Sequence, residues 1–107
     1  MSGQSLGLIE TVGLTVAMEA ADAAMKSANV ALVGYELTRG GGLVTVKFAG
    51  ELGAMHAAVA AGLDAAGRVR RVSAWSVMAR PAAGIGCLLC SRDPWGVCAR
   101  PARHPPP

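Results

Sequence analysis

Bulky aromatic side chains are scarce in this 107-residue chain: Tyr35, Phe48, Trp75 and Trp95 are all there are, 4% of the residues, although 52% are hydrophobic. The apolar content is instead small, with 21 alanines and 14 glycines making up about a third of the sequence. Small side chains favour close backbone packing over a roomy interior. A domain of this length buries only about 60–65% of its unfolded surface, so an enclosed pocket of several hundred cubic ångströms is not expected within one chain. No apolar run approaches the ~20 residues of a membrane-spanning helix. The opening MSGQSLGLIE has no basic stretch followed by an apolar one, so no secretory signal is expected and the default compartment is the cytosol. Charged residues are few, at 16%, which with the high apolar content excludes a disordered chain.

Charge of one sign is also thin on the body of the chain. Residues 1–86 carry seven Lys/Arg against six Asp/Glu, while residues 87–107 carry Arg92, Arg100 and Arg103 against Asp93. The net +3 therefore owes much to the tail. The only basic cluster, Arg68, Arg70 and Arg71, has no aromatic beside it. Nucleic-acid surfaces combine clustered cations with stacking rings, so no nucleic-acid partner is expected, and no membrane partner either.

What is present is a patterned body and an unpatterned tail. Leu6, Leu8, Ile9 and Val12 read as a first strand bounded by Gly13. A helix is expected from Leu14 to about Ala28, its apolar stripe Leu14, Met18, Ala21 and Met25 recurring at intervals of three and four, with Asn29 as its stop. VALVGYEL (30–37) and residues 43–49 are rich in strand formers and flank a glycine turn, which predicts a hairpin. Leu52, Met55, Val59, Leu63 and Ala66 mark a second helix to Gly67, with Glu51 in its first turn. Residues 70–80 read as a fourth strand. The order β-α-β-β-α-β predicts an α+β, ferredoxin-like fold: a four-stranded antiparallel sheet with both helices on one face, plus an irregular C-terminal tail. The other sheet face is left bare, which favours assembly.

These segments resemble, in order, the bacterial microcompartment (BMC) shell domain. The resemblance covers about residues 6 to 81 and rests on the GLIET opening, EAADAAMKSANV, VGYE, the triple glycine and the closing Arg80-Pro81. It implies a shell domain over 5–86 and a Cys/Pro-rich extension over 87–107, expected to be flexible. It further implies a non-enzymatic structural protein that forms a homohexamer and tiles edge to edge with other shell proteins. The resulting shell encloses enzymes in the bacterial cytoplasm, and an axial pore passes small polar metabolites.

The resemblance also assigns residues. Lys26 and Arg80 match the pair at the edge between hexamers; the alternative for each is an ordinary solvated charge. Thr38, Arg39, Gly40, Gly41 and Gly42 match the pore loop, the alternative being a plain hairpin turn. A phosphate-cradling loop is not supported, because GxxxxGK[ST] is absent and a strand follows. Between Glu36 and Leu43 there are six residues where usual members have five. The extra one falls near Arg39, which is expected to stand at the pore rim and favour anions or else to turn to solvent. Ala82 replaces the histidine that often follows the closing Arg-Pro, which puts that residue's share of the edge in doubt.

All three cysteines, Cys87, Cys90 and Cys98, lie in the tail, with His104 beyond them. An odd count in the cytosol argues against a disulfide framework. The plainer expectation is no cofactor and incidental cysteines. The CxxC spacing leaves open a tail-borne zinc or iron–sulfur site, and with it an alternative function as a small-ligand or metal-binding module. Catalytic groupings are missing: His56 and His104 have no nucleophile at a telling distance, and nothing places Glu10 beside Glu36.

Overall fold

A computed structural model describes residues 4–38 and 40–85. Its elements are β1 (Ser5–Val12), α1 (Leu14–Ser27), β2 (Val30–Leu37), β3 (Leu43–Gly50), α2 (Leu52–Gly67) and β4 (Ala74–Met78). The four strands form one antiparallel sheet in the order β2-β3-β1-β4. Both helices cover the same face, as the β-α-β-β-α-β reading requires.

The alternation of strand side chains explains how that face is built. Ile9, Val44, Val46 and Phe48 point toward the helices and form one buried cluster with Val16, Met55 and Val59. Alanines 17, 20, 24, 58 and 66 complete it. Between the helices the approach is backbone-close. A Cβ placed on Gly62 of α2 would lie 2.9 Å from Ile9 Cδ1 and 3.0 Å from the Ala20 carbonyl oxygen of α1. Here the small-residue composition has its structural use.

Three sequence expectations change. The buried face of α1 is Val16, Ala17, Ala20 and Ala24, and not the stripe of Leu14, Met18, Ala21 and Met25. Leu14, Met18 and Met25 are exposed, Met18 by 62%. Close contact with α2 selects the small side chains and turns the large ones outward. The fourth strand is shorter than 70–80, because α2 unwinds through Val69 and Arg70, whose N–H groups both donate to Ala66 O, and the first bond to β1 is Ser73 N to Glu10 O at 3.0 Å. Glu51 is the N-cap of α2 and not part of its first turn.

Among the described residues, no helix covers the second sheet face. A small cluster of Leu6 and Ala49, with Val33, Met78 and Ile85 packed against it, sits there. Ile85 is held by a turn in which its N–H donates to Ala82 O at 3.2 Å.

Candidate functional site

The glycine loop closes the β2–β3 hairpin. Gly40, Gly41 and Gly42 have φ of 79°, 68° and 73°, three successive residues in the left-handed region, where any L side chain is strained. The loop is nevertheless fixed by its own backbone. Thr38 N donates to Leu43 O at 3.0 Å, Gly42 N to Gly40 O at 2.8 Å, and Gly13 N to Gly42 O at 2.7 Å. The last of these ties the loop to the N-terminus of α1. Space around Gly40 and Gly41 is open within 4 Å, so sterics inside one chain do not demand glycine; the backbone conformation does. Thr38 and the three glycines are exposed, and Arg39 lies outside the described residues.

Lys26 sits in the last turn of α1, where a cation complements the helix dipole. Its ammonium nitrogen is 2.9 Å from Asp22 Oδ2, one turn back on the same helix. That hydrogen bond, with the charge of Asp22, raises the Lys26 pKa above its ordinary 10.5. Arg80 is exposed just after β4. No ion pair or hydrogen bond joins Lys26 to Arg80 among the described residues.

Strand register places these groups relative to the loop. Val12 faces Leu43 at one end of the sheet, and the glycine loop is there. At the other end Ser5 faces Gly50, Gly50 faces Val30, and Leu6 faces Met78. Lys26 shortly precedes Val30 and Arg80 shortly follows Met78, so both lie at the end opposite the loop. The length of α1, about 20 Å at 1.5 Å per residue, separates the two ends.

Sequence reading did not single out Lys47. It is only 5% exposed, on the sheet face away from the helices, and its Nζ donates to Glu36 Oε1 at 3.0 Å. A lysine inside the run VTVKFAG was the available signal, since a charge within an otherwise apolar strand needs a partner. Glu36 lies one position before Leu37 on β2, so the pair braces the hairpin just below the glycine loop. Arg68 pairs with Asp64 across one turn at the exposed end of α2. The described residues contain no cluster of three metal-ligating side chains; Cys87, Cys90, Cys98 and His104 lie outside them.

The profile of the BMC domain matches residues 5–81 of the chain. The chain belongs to the BMC domain family. It is 52% identical over 89 residues to the bacterial microcompartment shell protein PduA of Citrobacter freundii, covering 83% of this chain and 95% of that one. It is 49% identical over 98 residues to the carboxysome shell protein CsoS1 of Prochlorococcus marinus, covering 85% and 94%. Among solved structures, a microcompartments protein from Desulfitobacterium hafniense superposes with a TM-score of 0.67 at 27% identity. That match covers 77% of this chain and 44% of that one, so the BMC chain described here spans less than half the length of that protein. As a BMC protein with such relatives, the chain is a structural component of a microcompartment shell that assembles with other shell proteins, and it is not an enzyme. No helix among its described residues is long and apolar enough to cross a membrane.

Proposed function

We propose that the BMC chain forms a cyclic hexamer whose six glycine loops surround an axial pore and whose Lys26 and Arg80 line the outer edge. Such hexamers tile into shell facets around encapsulated enzymes. The observation that carries this reading is polarity: a side-chain-free loop stands at one end of the fold and both assigned edge cations at the other.

The flanks support it. Leu32, Tyr35 and Leu37 are exposed on edge strand β2, and Trp75 on edge strand β4 at the other side of the sheet. Two different apolar flanks on one chain suit a head-to-tail contact, which closes into a ring when the rotation allows. At the axis six loops crowd one point, and glycine leaves the hole open while backbone N–H groups face it. Arg39, between Thr38 and Gly40 in the chain, would add six positive charges to the rim and favour small anionic metabolites over cations.

Sedimentation equilibrium of the purified chain tests the assembly. A single species of six chain masses is expected, and a stable monomer or trimer at physiological salt would sink the reading.

A further inference from the structure

Most of the large apolar side chains that one chain leaves exposed gather along one flank. Leu32, Tyr35 and Leu37 on β2 pair with Phe48, Val46 and Val44 on β3, and those partners are buried under the helices. All three β2 side chains therefore stand on the helix side of the sheet. Each is nonetheless about half exposed, Leu37 by 59%. Beside them runs α1. As the crossover from β1 to β2 it lies toward the β2 edge, with α2, the crossover from β3 to β4, on its far side. Ala20 of α1 lies against Gly62 of α2. Leu14, Met18 and Met25 sit on the side of α1 turned away from that contact, so they overhang β2, and all three are exposed.

These six side chains line one trough between α1 and β2, and together they reach the ~300–600 Å² at which an exposed apolar patch marks an interaction site. The opposite flank supplies a projection. Trp75 on β4 pairs with Ile9, Ile9 with Val46, and Val46 with Tyr35. The four make one row across the sheet on its helix side, with Ile9 and Val46 buried in the middle and the two aromatics exposed at the ends. Rotation about an axis at the glycine-loop end keeps each residue's distance from that axis. In a ring, Trp75 of one chain therefore comes level with Tyr35 of the next. A seated tryptophan buries about 150–250 Å², and tyrosine and methionine offer it ring and sulfur contacts.

We propose that Trp75 of each chain seats in the trough of a second copy, its indole against that copy's Tyr35 and Met18, and that this contact closes the ring. The inference rests on the proposed hexamer. It adds which side chains join neighbouring chains, and it gives the contact one direction around the ring, from β4 of one copy to α1 and β2 of the next.

Photocrosslinking of the full chain, with p-benzoylphenylalanine in place of Trp75, tests this. Within one chain Trp75 and Tyr35 stand on the two outer strands, three strand spacings or about 14 Å apart. A link between these flanks therefore reports two chains. Irradiation should give a band of two chain masses, and peptide mapping should place the bridge at Met18 or within residues 30–37. The same probe in place of Tyr35 should bridge to residues 74–76, and it decides the matter if the first variant fails to fold. Sedimentation of the same proteins separates this inference from the hexamer itself. Six chain masses with bridges that map elsewhere overturn the seat of Trp75 and leave the hexamer standing. A monomer that yields no bridge overturns both.

Discussion

Single residues carry two kinds of constraint in this fold, one steric and one electrostatic. Gly62 is steric. Alanine is the better helix former by about 1 kcal/mol, yet its methyl at position 62 would press on the Ala20 carbonyl and Ile9. The clash wins, because a backbone oxygen cannot swing aside as a flexible side chain can. Gly62→Ala should lower the unfolding free energy by about 1–3 kcal/mol, read as an earlier midpoint in urea; an unchanged or later midpoint would mean that the helices part at little cost. Lys47 is electrostatic. Its stem is packed and its ammonium is paired to a half-exposed Glu36. Lys47→Met keeps the stem and frees a carboxylate that water can reach, so the cost should stay within about 1 kcal/mol. Lys47→Ala removes the stem as well and should cost about 2 kcal/mol or more. The ordering of the two variants by denaturation checks whether packing or charge dominates.

At the scale of elements, β1, β2 and β3 were legible as strands from their β-branched and aromatic content and α2 as a helix from its period. Burial does not follow size throughout: Leu32, Tyr35 and Leu37 are exposed on β2 and Leu52 on α2, while Ala58 and Gly62 are buried. α1 was legible as a helix but not in its orientation. Hydropathy ranks Leu14, Met18 and Met25 above alanine, whereas the buried side is decided by how closely α2 can approach, and Ala17, Ala20 and Ala24 allow the shorter distance. The start of β4 was overextended, because Val72 in RRVSAW keeps strand character while the chain is still leaving the helix. Lys47 escaped notice because its partner Glu36 lies across a hairpin, a pairing that only register reveals. The glycine loop was legible as a turn, and its three positive φ values explain why all three residues are glycine. Gly41→Ala should cost about 1–2 kcal/mol from backbone strain alone, since no atom obstructs the new methyl. Gly53→Ala, on α2 with equally open surroundings, serves as the control and should be neutral or stabilising in the same thermal melt.

For the whole molecule, the proposed hexamer would make ring formation and tiling independent, because the loop and the edge cations stand at opposite ends of the fold, and a variant would then remove one without the other. Lys26 lies far from the loop and outside the apolar flanks. The edge role proposed for it would rest on a long stem laid against the neighbouring hexamer and an ammonium offered to a carbonyl there. Asp22 takes one of the three ammonium hydrogens and leaves two for the neighbour. Lys26→Ala should therefore leave the hexamer intact by sedimentation and abolish the extended sheets seen by electron microscopy on overexpression. Loss of the hexamer itself would place Lys26 in the ring contact and not at the edge. Lys26→Arg separates charge from shape, since a planar guanidinium cannot lie in the same place as a compact ammonium; sheets should be reduced but present. The sign of the pH response follows from the raised pKa. The cation is held by Asp22 in the folded protein, so it persists through 10.5 and is lost only as pH climbs past it. Sheet formation should be flat between about pH 7 and 9, where an unperturbed lysine is already charged, and should fall off above 10.5. A fall near neutrality would mean that the charge on Lys26 does not set the pH response.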